Sequence, residues 1–282
     1  MNSKQQPLSQ SSTSTSTTYT QGHSAAVVAS HASRTVENSA AFLLPHLQPH
    51  FTVVDLGCGP GTITRGFCSY VPRGQVIGID AAEEVIEVAR SSSPENEYPN
   101  LSFRVGDITA RLPWDDNSVD VVYTSQVLYH IPHPVRVIRE ALRILKPGGL
   151  LAMRETDSLI FHPANPGTEL FRQTMAKAVS PGAQGIGSGR RIHLWAQEAG
   201  FDRSKMQVRA GATCHPAPDE SKWWANIHVE RLKGEIGRKW LHELKLVKSQ
   251  DEIDDMIKGL EEWGDSPEAW YVALQGEVIC WK

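Results

Sequence analysis

Cysteine is scarce in this chain: four in 282 residues (Cys58, Cys68, Cys214, Cys280), none in a C-x-x-C pair or at zinc-ligand spacing. That excludes a disulfide framework and fits free thiols in a cytoplasmic setting. Long apolar runs are missing too. None nears the roughly 20 residues that span a bilayer, and the polar first residues carry no signal-peptide pattern, so no membrane partner is expected. Neither sign of charge dominates: 28 Lys and Arg against 32 Asp and Glu leave a net charge of -4, without the basic footprint of nucleic-acid binding. No group of His, Asp or Glu has metal-ligand spacing, so no metal is expected. Residues 1–18 are Ser, Thr and Gln with almost no apolar content. They cannot bury enough surface to offset ordering and read as a disordered tail.

What is present begins with the run VVDLGCGPG over residues 53–61. A short apolar stretch carries an acid near its end and opens into closely spaced glycines. Residues 62–67 read as the first turns of a helix. Strand, tight turn and helix start let a ligand approach bare backbone, with amides pointing at it. The dinucleotide fingerprint G-x-G-x-x-G/A needs a last small residue to seat helix on strand. Gly57 and Gly59 fit, but that last place falls on Thr62, and the glycine comes one early, at Gly61. This spacing disfavours a nicotinamide oxidoreductase.

The following segments repeat the pattern of strand, acid and helix. Residues 75–80 form a second strand ending in Asp80, placed to accept hydrogen bonds from a ribose diol. Residues 82–90 space Val85, Ile86 and Ala89 as a helix does. A third strand, 101–105, leads to Gly106 and Asp107. A carboxylate there accepts from an adenine amine, while Ile108 offers the ring an apolar face. Residues 118–123 form a fourth strand that runs out into 124–130. An amphipathic helix over 135–145 is stopped by Lys146-Pro147-Gly148-Gly149, and 150–153 form a fifth strand. The acids and glycines fall at strand carboxyl ends, where open α/β sheets bind ligands.

The motifs DLGCGPG (55–61), GID (78–80), GD (106–107), LP (112–113), NSVDVV (117–122) and LKPGG (145–149) resemble class I methyltransferases of the quinone-biosynthesis type. The resemblance is strong over about residues 20–155 and loose beyond. It implies S-adenosyl-L-methionine (SAM) as cofactor. It also implies an α/β, Rossmann-like fold: a seven-stranded sheet, helices on both faces and an antiparallel edge hairpin. Carried over residue by residue, it implies cofactor contacts at Asp55, Gly57, Cys58, Gly59, Asp80, Asp107, Ile108 and Gln126. Leading helices cover the cofactor in that family, which brings in Tyr19 and Arg34. The Tyr19 ring would face the sulfonium, and the Arg34 guanidinium would meet the methionine carboxylate. Beside these stand plainer readings, Tyr19 as a helix anchor and Arg34 as a solvated surface residue.

The layout expected is a tail over 1–18 and one methyltransferase domain over 19–282. Within it, 19–50 are leading helices (25–30 and 34–44), 51–155 the SAM-binding core, 156–276 acceptor-side helices with a sixth strand over 206–213, and 277–282 the last strand. The acceptor side should hold an apolar helix around Leu170, Phe171 and Met175, and a helix over 190–201 stopped by Gly200. Six of the eight tryptophans follow position 220 (Trp223, Trp224, Trp240, Trp263, Trp270, Trp281) and either wall an acceptor pocket or pack helices on the sheet. His130 is the candidate catalytic base, with His133 beside it and His162 and His193 behind. The alternative is that His130 and His133 only turn the chain. The resemblance is closest to fungal small-molecule members, so the expected acceptor is a thiol of a reduced dithiol metabolite such as dithiol gliotoxin. O-, N- or C-methylation of a quinone or another secondary metabolite is the alternative, as is a SAM-binding regulator without catalysis. The expected partner is a small molecule, and the oligomeric state is not legible.

Overall fold

The computed structural model describes residues 34–178 and 184–282. Tyr19, the helix expected over 25–30, the polar tail and part of the glycine-rich run 180–189 lie outside the described residues. Seven strands form one mixed sheet in the order β3-β2-β1-β4-β5-β7-β6. Strands β1 (Thr52–Leu56), β2 (Gln75–Asp80), β3 (Leu101–Val105) and β4 (Val119–Ser125) are parallel, and β5 (Leu145–His162) joins β4 in parallel. Strand β7 (Trp270–Trp281) runs antiparallel between β5 and β6 (Met206–His215). The fold is therefore the α/β, Rossmann-like sheet with an antiparallel edge. Val53, Val54, Val76, Val121 and Val122 have no exposed surface, as expected where helices cover both faces of parallel strands.

Helices α1 (Val36–Ser39), α2 (Thr62–Gly66), α3 (Glu83–Ser91) and α4 (Pro134–Ile144) belong to the parallel half. Beyond it come α5 (Pro166–Lys177), α6 (Ile192–Ala199), α7 (Pro218–Lys233), α8 (Glu235–Arg238) and α9 (Gln250–Gly264). Val137, Ile138 and Ala141 of α4 share one core with Trp195 and Ala196 of α6 and with Val54, Val122 and Leu151 of the sheet. Across the sheet, Val36, Leu43, Phe67 and Val71 pack on Val53, Val121 and Tyr123. A further core is separate from both. There Phe171, Val229, Met256, Leu260, Trp240 and Trp263 gather on Leu159, Phe161 and Tyr271.

Several boundaries differ from the sequence reading, and the differences matter for function. The expected fifth strand (150–153) and last strand (277–281) are parts of much longer strands. Past Glu155, β5 continues through a register shift between Thr156 and Ser158 and pairs with β7 from Ser158↔Leu274 to His162↔Trp270. The edge is a hairpin in pairing alone, because α7, α8 and α9 intervene between β6 and β7. The helix expected over 34–44 is one turn, capped by Thr35 and followed by a 3-10 turn at Leu44–His46. A 3-10 turn, Gly189–Arg191, likewise precedes α6, which ends at Gly200 with φ +115°.

Candidate functional site

The turn after β1 is built from three residues at positive φ, Gly57 (74°), Gly59 (55°) and Gly61 (78°). The first and third are needed by the protein itself. A Cβ on Gly57 would lie 2.4 Å from Val127 Cγ2, and one on Gly61 would lie 2.5 Å from Phe103 Cζ. A Cβ on Gly59 would meet nothing within 4 Å. Its bareness serves space outside the chain, as a ligand approaching backbone requires. The amides of Gly57 and Cys58 donate to the Ile79 carbonyl and lock the turn to β2.

Asp80, at the end of β2, braces this turn: its carboxylate oxygens accept from the Gly59 amide (2.9 Å) and the Ala82 amide (3.1 Å). Each oxygen keeps capacity for a second donor. Asp107 is exposed, and its Oδ1 accepts from the Thr109 amide and hydroxyl. Ile108 beside it is buried in the core. Asp55 lies beneath the turn, 3 % exposed, and accepts the Thr64 hydroxyl at 2.6 Å. Burial lifts its carboxyl to about 7, against the lowering effect of that hydrogen bond. Cys58 packs under the turn with Ile86, Ala89 and Phe103, and burial pushes its thiol up. Asp55 and Cys58 thus support the turn from below, while Gly59 and the Asp80 and Asp107 carboxylates lie at the carboxyl ends of β1, β2 and β3.

The chain leaves β4 through Gln126, a non-glycine residue at φ +55° whose amide donates to the Arg154 carbonyl. Such a backbone is uncommon and marks a constrained corner. Buried Glu155 holds the segment beyond it by accepting from the Val127 and Leu128 amides, and desolvation lifts this carboxyl to about 7. His130 packs on Tyr129 with ring centroids 3.8 Å apart and the planes tilted by 37°, and both its ring nitrogens are shielded from solvent. Desolvation first, and the Arg34 charge second, push this imidazole down to about 3. His133 is the exposed residue preceding α4, His162 is exposed at the end of β5, and His193 lies on α6.

Beside Gln126 and Tyr129 opens a cavity whose lining includes Arg34, Arg154, Thr213, His215, Trp224, His228, Arg231, Tyr271 and Gln275. Among the site residues expected from the sequence, Arg34 and Gln126 line it; His130 adjoins it through Tyr129. Of the six late tryptophans, only Trp224 does so. Trp240 and Trp263 are buried in the core built on Leu159, Phe161 and Tyr271, and Trp223 and Trp270 are partly exposed. Four rings cluster there, with Trp224 5.3 Å from His215, 5.3 Å from Tyr271 and 5.7 Å from His228. Burial holds His228 neutral and raises the Tyr271 phenol to about 12. Trp224, His228 and Arg231 stand at i, i+4 and i+7 of α7, a helical stripe visible in the sequence. A charged Arg154 directly after the apolar run 150–153 was the other signal.

Comparison with known proteins agrees with this fold. The family described as "Methyltransferase domain" matches residues 47–210. The "Probable methyltransferase ltbC" of Aspergillus luteorubrus is 32% identical, over 96% of this chain and 99% of its own. A putative methyltransferase structure (BH2331) from Bacillus halodurans superposes with a TM-score of 0.54 at 17% identity, covering 85% of this chain and 96% of that one. Phosphoethanolamine N-methyltransferase 2 of Haemonchus contortus, in complex with SAM, superposes with a TM-score of 0.51 at 18% identity, over 83% of this chain and 49% of that one.

Proposed function

We propose, from the premise that this chain belongs to the methyltransferase-domain family, a specific division of labour between its groove and its cavity. The chain is a SAM-dependent methyltransferase, and SAM is its cofactor. The donor groups fit: Gly59 is bare toward open space, and Asp80 and Asp107 have carboxylate capacity to spare. Asp80 would take the ribose hydroxyls and Asp107 the adenine amine, with Ile108 beneath the ring. Gly57 and Gly59 would admit the chain of the cofactor, and Asp55 and Cys58 would support the turn. Arg34 and Gln126 would stand where groove and cavity meet. Tyr19, outside the described residues, stays the proposed aromatic cover of the sulfonium. When bound, SAM supplies an electrophilic sulfonium methyl, so the protein's main task is to align the acceptor and exclude water.

The acceptor is a thiol of a reduced dithiol small molecule, such as dithiol gliotoxin. The observation that supports this is the state of His130. An imidazole held near 3 takes up a proton poorly at neutral pH. The reaction therefore suits a nucleophile that ionises largely by itself. A thiol near pKa 8.5 does so more readily than a phenol near 10. His130 would then act as a neutral ring that supports Tyr129 at the cavity wall, and not as a base. Flat rings such as quinols form the second reading, favoured by the wall of Trp224 and Tyr271. Mass spectrometry after incubation with SAM and a panel of reduced dithiol, quinol and phenol tests the choice. One or two added methyl masses on the dithiol alone are expected; methylation of the quinol or phenol instead overturns the thiol assignment.

A further inference from the structure

Glu155 is fully buried and lies on β5 between Arg154 and Thr156, both of which line the cavity beside Gln126. Side chains alternate along a strand, so Glu155 is turned away from that cavity. On its own side its Oε1 accepts the Val127 amide at 3.0 Å and the Leu128 amide at 2.8 Å. These amides open the 3-10 turn Leu128–His130, which the chain enters from β4 through Gln126 at φ +55°. The start of a helical turn leaves amides without partners inside the turn, and the residue before this one, Val127, supplies no side-chain cap. A carboxylate from the neighbouring strand takes that place, with hydrogen bonds shorter and stronger than a neutral acceptor makes.

The segment held in this way reaches both sites of the proposed reaction. Val127 presses on the glycine turn, its Cγ2 standing where a Cβ on Gly57 would come within 2.4 Å. Leu128 is fixed in the core shared by the sheet and α4. Tyr129 lines the cavity, and its carbonyl accepts from the Gln184 and Gly185 amides at 3.1 and 3.0 Å, next to Ile186 in the same wall. One short stretch of backbone, clamped by one buried acid, thus joins the glycine turn to the cavity.

We propose that Glu155 is a positioning residue for methyl transfer, setting the cavity wall at Tyr129 against the glycine turn at Gly57. It is buried and faces away from the cavity, so it acts through the segment 126–129 and not as a base. In-line displacement depends on alignment, and a misplacement of about an ångström can cost roughly a hundredfold in rate. Slack in this segment should therefore slow transfer more than it weakens the binding of either substrate. The inference rests on reading the glycine turn as the SAM site and the cavity as the acceptor site.

The test compares two variants. Glu155→Asp keeps the charge and draws the carboxylate back by one methylene; Glu155→Gln keeps an acceptor oxygen at full reach and drops the charge. Kinetics use SAM and whichever of the reduced dithiol, quinol and phenol the parent methylates. Glu155→Asp should lose at least about tenfold in kcat, while KM for both substrates and SAM affinity by calorimetry move less than about threefold. Glu155→Gln should recover most of that loss. Hydrogen exchange, read without substrates, should find the Val127 and Leu128 amides faster in Glu155→Asp and slowed again in Glu155→Gln. An unchanged kcat in Glu155→Asp overturns the proposal. So does a kcat lower in Glu155→Gln than in Glu155→Asp, which would assign the role to the charge or to a base. A parallel fall of kcat and both affinities overturns it as well, because a merely structural role gives that result. A parent that methylates no compound of the panel strikes the function reading instead; the exchange measurement, which needs no acceptor, then still decides whether Glu155 holds the segment.

Discussion

Gly59 and Gly61 share positive φ but serve different ends, and substitution separates them. Gly61→Ala drives a Cβ into Phe103 and should destabilise the fold by roughly 2 kcal/mol or more. Gly59→Ala carries about 1 kcal/mol of backbone strain, yet its Cβ enters open space, so its main effect should be at least about tenfold weaker SAM binding. Urea unfolding and SAM titration of both variants check this; equal effects on both readouts would contradict it. Asp55 supplies a pH test. Its folded carboxyl is raised to about 7 from an ordinary value near 4. Its stabilising share is therefore complete below about pH 4 and lost as pH rises through 7. In Asp55→Asn that loss is removed, so between about pH 5 and 8.5 the melting temperature of the variant should gain on the parent by about 3 °C or more. A difference that is flat with pH would contradict the assignment. The glycines and acids of this turn were legible in the sequence because turn chemistry is local. Arg154 and Arg231 left local signals, a charge after an apolar run and the i, i+4, i+7 spacing, but their meeting with Gln275 was not legible, because β5, α7 and β7 meet only in the folded chain. The environment of His130 was equally hidden: its place at the strand end could be read, its desolvation could not.

Among the elements, the extended halves of β5 and β7 decide where the acceptor cavity lies. Residues 156–162 fall, in the sequence reading, within the acceptor-side helical region. In the fold, cross-strand pairing with β7 supplies what local propensity does not. Helix α5 then turns the chain back over this extension. Its cap is specific: Asn165 Oδ1 accepts the Thr168 amide at 2.8 Å, and Asn165 Nδ2 donates to the Gly259 carbonyl of α9 at 2.8 Å. Asn165→Ala removes the cap and the tie together and should cost about 1–2 kcal/mol. Denaturant unfolding measures it, and a loss below a few tenths of a kcal/mol would show that α5 holds its place without the cap. Helix α7 illustrates the limit of pattern reading in another way. Its apolar and polar residues follow no single stripe, because one side packs on the second core while Trp224, His228 and Arg231 face the cavity.

The molecule as a whole joins three main cores along one sheet. The parallel half carries the glycine turn and the strand-end acids proposed to hold the cofactor. The antiparallel extension, roofed by α5, α7 and α9, carries the cavity, which Gln126 and Arg34 help to line. Among the described residues, no helix is long and apolar enough to cross a membrane. The parallel half was readable because each of its strands ends in a recognisable residue. The other half was not, since its long connection separates β6 from β7 and hides their pairing. The account stands first on what the groove binds. Isothermal titration of the purified chain with SAM and, separately, with NAD tests this most directly. The account predicts saturable binding of one SAM per chain, weakened at least about tenfold in Asp80→Ala by loss of a charged hydrogen-bond acceptor, and no binding of NAD. Binding of NAD in place of SAM, or SAM affinity unchanged in Asp80→Ala, would contradict it.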